Sequence, residues 1–74
     1  MIIHWEKSLT NGMGQTVTQT FVEHRGKYFV VSETPTETLI FPSDKTGKLS
    51  FLDVGSGDNT AECLNQIENG QIMS

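Results

Sequence analysis

The sequence predicts an α+β domain: an antiparallel five-stranded β-meander, open or curled into a partial barrel, with one C-terminal helix packed on one face. Short strand-like runs alternate with turn signals up to residue 54. The runs pair into hairpins that bring apolar side chains together, and a capped stretch with an apolar stripe follows them. A chain of 74 residues forms one domain at most. We assign residues 1–70 to that domain and expect residues 71–74 to be a frayed tail.

The first predicted hairpin begins with the strand Ile2–Glu6 and turns at Asn11-Gly12. Asn-Gly is the preferred pair for a two-residue type I′ turn. With that turn, two cross-strand pairs are expected: Ile3 opposite Thr20, and Trp5 opposite Thr18.

Two further turns share one pattern, in which an acid is followed by two residues, a glycine and a lysine: Glu23–Lys27 and Asp44–Lys48. A type I turn with glycine in the left-handed position has this sequence. The acid and the lysine are expected to face each other across each hairpin neck. Pro35 interrupts the ladder between the two hairpins. The predicted registers place apolar residues opposite each other: Phe21 with Phe29, Phe41 with Phe51, and Ile40 with Leu52.

The last predicted element is a helix over Thr60–Asn69. Asn59 is suited to the N-cap, and Glu62 holds the capping-box position three residues later. Gly70 suits the C′ position. Cys63 is expected to be a small, half-buried core residue. The stripe expected to pack on the sheet recurs at spacing three: Ala61, Leu64 and Ile67.

One helix cannot cover both faces of this sheet. In the predicted register, Phe21, Phe29 and Val31 share one face, and Val22, Tyr28 and Val30 share the other. The second face therefore either closes by curling or meets another chain. Tryptophan is enriched where interfaces bind most tightly. The predicted partner-binding residues are Trp5, Tyr28 and Val30, and the partner is a second protein or a second copy in a homodimer.

The segment FLDVGSGDNTAE, residues 51–62, resembles the cofactor loop of S-adenosylmethionine-dependent methyltransferases. The resemblance would give Asp53, Gly55 and Gly57 the role of holding the cofactor. That fold also needs a second strand that ends in an acid about 20 residues later, whereas the residues after Gly57 contain only the capped helix and a tail. We expect a strand-to-helix connection here, and a methyltransferase fragment is the remotest alternative function.

The remaining chemistry of the sequence indicates no reaction centre. His4, His24 and Cys63 are the only soft metal ligands, and they lack zinc-type spacing. No pattern places a serine or cysteine nucleophile beside a histidine. The sequence therefore predicts a non-enzymatic protein with no catalytic residue, no metal site and no cofactor.

The net charge of −4 comes from nine acids against five lysines and arginines. This balance opposes binding to a phosphate backbone, so a curled sheet that stacks nucleic-acid bases on Trp5, Tyr28 and Phe29 is the weaker alternative. No apolar run approaches the ~20 residues that span a bilayer, and the first residues lack signal-peptide features. A cytoplasmic location is expected.

Glu37–Pro42, with the sequence ETLIFP, precedes an aspartate turn, a strand and a short helix. Over residues 37–69, this order resembles small phage and prophage proteins of unassigned function, although the helix here is less acidic than in that family. The resemblance implies a small accessory protein made inside an infected or lysogenic bacterium. Together, these observations predict a protein-binding module that contacts a host protein or its own copy.

Overall fold

A computed structural model describes residues 1–71 and contains an open five-stranded antiparallel sheet with strands in chain order. The predicted α+β meander with one C-terminal helix on the sheet is confirmed, and the sheet does not close into a barrel. Of the predicted frayed tail, residues 72–74 lie outside the described residues. The elements are β1 Ile2–Thr10, β2 Thr16–His24, β3 Lys27–Glu33, β4 Thr38–Ser43, β5 Gly55–Gly57 and α1 Thr60–Glu68.

The predicted register of the first hairpin is wrong because its loop has five residues instead of two. The side chain of Asn11 accepts hydrogen bonds from the backbone N–H groups of Met13 and Gln15, at 2.9 and 3.0 Å. In this Asx-type closure Asn11 is the first residue of the turn. In the predicted type I′ turn it would be the second. Trp5 consequently lies opposite Phe21, and a β-bulge interrupts the ladder between Ile3 and Trp5.

The second hairpin turns through only two residues, so its predicted register is off by one. Arg25 and Gly26 both have positive φ, 53° and 77°, as a type I′ turn requires. His24 therefore pairs with Lys27.

The one-residue shift exchanges the faces of β2, because successive side chains on a strand point to opposite sides. Val22 pairs with Phe29, and Phe21 pairs with Val30. Val22 accordingly joins the core under the helix. Phe21 lies on the opposite face, the reverse of the predicted arrangement.

The turn after β4 forms as the pattern predicts, but the strand predicted after it does not. The N–H of Asp44 donates to the carbonyl of Lys48, and Gly47 has a φ of 89°. The chain then leaves the ladder, and both Phe51 and Leu52 are exposed.

The fifth strand is instead the glycine segment itself. Gly55 pairs with Ile40 and Gly57 pairs with Thr38, antiparallel to β4. Phe51 therefore has no ladder partner, although its ring contacts the ring of Phe41 edge-on with centroids 5.6 Å apart.

The helix begins at the predicted residue, ends one residue earlier than predicted, at Glu68, and presents a different stripe to the sheet. Asn59 accepts a hydrogen bond from the N–H of Glu62 at 2.9 Å, and Gly70 follows the helix with a φ of 72°. Ala61 is exposed and Leu64 only half-buried. The buried core lies between α1 and the sheet and consists of Val22, Phe29, Val31, Ile40, Cys63 and Ile67.

A carboxylate on β3 holds the first residue of the helix. The backbone N–H and the hydroxyl of Thr60 donate to Oε1 of Glu33, at 2.7 and 2.6 Å. These two hydrogen bonds favour the charged carboxylate and lower the pKa of Glu33 below its ordinary value.

Replacing Glu33 with glutamine is expected to flatten the acid dependence of stability. Because the pKa of Glu33 is lowered by folding, its contribution is complete above the ordinary value of 4.5 and is lost as the pH falls through the folded value. Thermal melts between about pH 3 and pH 7 measure the slope. Glu37→Gln, on the adjacent exposed turn, is the matched control and should keep the wild-type slope. An unchanged slope in Glu33→Gln would contradict the prediction.

Candidate functional site

The sheet face opposite α1 is lined by aromatic side chains. The helix packs on the side that carries Phe29 and Ile40, and no helix or strand of residues 1–71 lies across the other side. We define the aromatic face as the group of residues that line this side: His4, Trp5, Phe21, Tyr28, Val30, Phe41 and Phe51.

Four of these rings form a continuous cluster across the first three strands. The ring of Phe21 lies at its centre, 5.6 Å from the ring of Trp5 and 5.9 Å from that of Tyr28. The ring of His4 lies 5.4 Å from Phe21 and 6.1 Å from Tyr28. Adjacent residues normally point to opposite faces, so the β-bulge explains how His4 and Trp5 both contact Phe21.

Two charged side chains, Glu23 and Lys7, lie at the margin of the aromatic face. Nε2 of His4 lies 2.9 Å from Oε1 of Glu23. The amine of Lys7 lies 4.6 Å from the centre of the Trp5 ring, within the range of a cation–π contact. The middle of the face is therefore apolar, and its charges already have partners within the chain.

The three predicted partner-binding residues lie on this face but differ in accessibility. Trp5 is 38% exposed and Tyr28 is partly exposed, so both can contact another molecule. Val30 is only 3% exposed, because its neighbours on the face cover it, and it supports the surface from below. Phe21 is not among the residues that the sequence predicts for the site, because its place on this face follows from the two-residue turn at Arg25-Gly26.

The soft metal ligands of the sequence do not form a reactive or metal-binding group in the structure. Burial raises the pKa of the Cys63 thiol, and the negative charge of Glu62 raises it further. The thiol is therefore a protonated core group and not a thiolate. Within residues 1–71, no three His, Cys, Asp or Glu side chains are arranged to hold a metal ion.

The glycine segment has a packing role that its resemblance to a cofactor loop does not suggest. A Cβ placed on Gly57 would lie 2.7 Å from Sγ of Cys63 and 3.1 Å from Nε2 of Gln66. Gln66 also donates to the carbonyl of Ser56 at 3.0 Å. Glycine at this position lets the helix approach the edge of the sheet.

Comparison of the chain with protein-family models, curated proteins and solved structures gave no match. The described part of the chain contains no helix with the length and apolar character needed to cross a membrane.

Proposed function

We propose that this chain is a small non-enzymatic protein-binding module that contacts its partner through the aromatic face. The observation that carries the proposal is an apolar sheet face that no other element of the described chain covers. Large apolar side chains remain partly or largely exposed on or beside it: Ile2, Trp5, Leu9 and Phe51. Contiguous exposed apolar surface on a small protein commonly marks an interaction site.

The dimensions and chemistry of the face suit a protein partner. The molecule measures 35 × 24 × 22 Å, and a standard interface takes about 800 Å² from each partner. Tryptophan and tyrosine contribute most strongly when their rings are enclosed by a partner. Trp5 and Tyr28 both contact Phe21, which restrains their rings before binding.

The resemblance of residues 37–69 to phage and prophage proteins suggests where this binding takes place. We propose a small accessory protein that acts in the cytoplasm of an infected or lysogenic bacterium. Its partner in this proposal is a host protein or a second copy of the chain, bound to the aromatic face.

The proposal is tested by replacing Trp5 with serine. Met13→Ser is the matched control, since Met13 is an exposed apolar residue in the loop between β1 and β2. Trp5→Ser is expected to weaken binding to a bacterial partner, or self-association, by about 30-fold, as truncation of a central interface residue does. Affinity capture followed by titration of the captured protein, with sedimentation of the chain alone, measures both cases. Equal binding by the two variants, or neither partner nor self-association, would overturn the proposal.

Single-stranded nucleic acid is a second candidate ligand, favoured by the ring geometry. The planes of the exposed His4 ring and the partly exposed Tyr28 ring lie within 21° of each other. Roughly parallel rings on a sheet surface suit base stacking. This function requires salt-sensitive retention of an oligothymidylate, which the net charge of −4 opposes.

A further inference from the structure

The positive charges of the chain are concentrated at one end of the sheet. Pairing of Tyr28 with Ser43 places the turn between β2 and β3 beside the turn that follows β4. These two turns contain four of the five lysines and arginines. We define the basic end as Arg25, Lys27, Lys45 and Lys48.

Carboxylates dominate the opposite end. Glu33 closes β3, Glu37 lies in the following turn, and Asp58 precedes the helix that Glu33 anchors. Glu62 adds another charge in the first turn of α1. The chain is therefore polarised along its strands, despite its net negative charge.

A cleft of about 580 Å³ lies between the two turns of the basic end. The residues that line it include two lysines and three hydroxyl-bearing residues: Lys27, Lys48, Tyr28, Ser43 and Ser50. Tyr28 lines the cleft and also belongs to the aromatic face, so the two surfaces adjoin at this residue. A ligand that occupies both would contact charge and aromatic surface together.

Lys27 lacks the acidic partner that the turn pattern predicts, and Lys48 faces Asp44 across its turn without forming an ion pair. Glu23 contacts His4 instead of Lys27. No carboxylate of residues 1–71 lies within 4.0 Å of the Lys27 or Lys48 amine. Both ammonium groups are thus available to an external anion.

Asp44 is the one acid in the lining of the cleft, and its carboxylate is occupied by its own turn. Oδ1 accepts hydrogen bonds from the backbone N–H groups of Thr46 and Lys48, at 2.8 and 3.1 Å, and from the Thr46 hydroxyl. The hydroxyl is the main cause that lowers the pKa of Asp44. The Asp44 charge offsets that of one lysine. The other lysine leaves the residues of the cleft with a net positive charge.

We propose that this cleft binds an acidic side chain of the partner protein, from a segment whose neighbouring apolar residue lies on the aromatic face beside Tyr28. The inference rests on the proposed function and names the chemistry of the partner: an acidic segment with interspersed apolar residues. Opposite charge in the cleft selects the carboxylate. A short segment fits better than a nucleic acid, because a long polyanion would extend from the basic end toward Glu33, Glu37 and Asp58.

The test uses a fluorescent ten-residue peptide that alternates aspartate with leucine and phenylalanine. A peptide with lysine in place of aspartate and a ten-nucleotide oligothymidylate are the comparison probes. The cleft variant is K27E/K48E. The matched control is R25E/K45E, which makes the same change of charge at the same end but outside the cleft lining. Fluorescence anisotropy measures each affinity at low and at high salt.

The acidic peptide is expected to bind the wild type most tightly, and K27E/K48E is expected to weaken it at least tenfold at low salt, as a like charge placed against the ligand does. At about 0.15 M salt, R25E/K45E should weaken it less than threefold, because exposed charges farther apart than the Debye length of about 8 Å are largely screened. Equal loss in the two variants would overturn the inference, as would tighter binding of the basic peptide or the oligonucleotide.

The same titration separates this inference from the proposed function. If Trp5→Ser weakens binding of the acidic peptide and K27E/K48E does not, the aromatic face is the binding site and the cleft inference is wrong. If neither change has an effect, both are wrong. A third outcome is self-association of the chain that is sensitive to salt and is abolished by K27E/K48E. The cleft would then bind the acidic end of a second copy, and the inference of a different partner protein would be overturned.

Discussion

Replacing Phe29 with alanine is expected to lower the free energy of unfolding by about 3–5 kcal/mol. The ring is 2% exposed and belongs to the core between α1 and the sheet. Its backbone neighbours across the sheet are Val22 and Pro42, so the space left by the ring is bounded by strands that cannot readily close on it. A domain of this size has a total stability near the low end of about 5–15 kcal/mol. Most molecules of the variant should therefore be unfolded or close to their midpoint.

Phe51→Ala provides the control of identical chemistry. This phenylalanine is 76% exposed, and its ring packs edge-on against the ring of Phe41. Its replacement should change the free energy of unfolding by no more than about 0.5 kcal/mol. Urea denaturation followed by circular dichroism measures both variants. Similar losses in Phe29→Ala and Phe51→Ala would show that the assignment of the two rings is wrong.

The order of the elements follows from the sequence, whereas the register depends on details of the turns. Asn11-Gly12 has the sequence of a two-residue turn, but Asn11 closes a longer loop with its side chain. In the next hairpin, Arg25 takes a positive φ, which costs a non-glycine residue roughly 1–2 kcal/mol. Local preference disfavours that geometry, so only the packing of the whole sheet selects it.

The position of the fifth strand is equally hard to infer from local sequence. Phe51 and Leu52 have the composition of a strand, whereas Gly55–Gly57 contains the residue least suited to one. The structure places the glycines in the ladder and leaves the apolar pair outside it. Glycine is needed in this strand because α1 approaches it closely at Gly57. That contact is tertiary, so a hydrophobic pattern does not predict it.

The candidate site was only partly predictable for the same reason. The sequence predicts Trp5 and Tyr28 as contact residues, and the structure places both on one uncovered face. The position of Phe21 at the centre of the cluster depends on a turn that is one residue shorter than predicted. The position of His4 beside Trp5 on the same face depends on the β-bulge in β1. The basic cleft depends on two registers at once, because its lysines come from different hairpins and the predicted acidic partner of Lys27 contacts His4 instead.

Gly57→Ala is expected to destabilise the fold by about 1–3 kcal/mol through overpacking. The added Cβ would lie 2.7 Å from Sγ of Cys63, and that side chain is fully buried, so it has no open space into which to move. Gly12→Ala is the matched control, since a Cβ on Gly12 meets no atom within 4 Å. Its effect should stay within about 0.5 kcal/mol.

A double-mutant cycle identifies the clash as the cause. Cys63→Ala removes Sγ and leaves the flexible end of Gln66 as the nearest side-chain atom to the new methyl group. The methyl group then occupies part of the space that the sulfur vacated. The combined variant should be more stable than the sum of the two single changes predicts, by about 1–2 kcal/mol. Additive losses, measured by urea denaturation of all four proteins, would mean that Gly57 is required by the backbone of β5 and not by the approach of the helix.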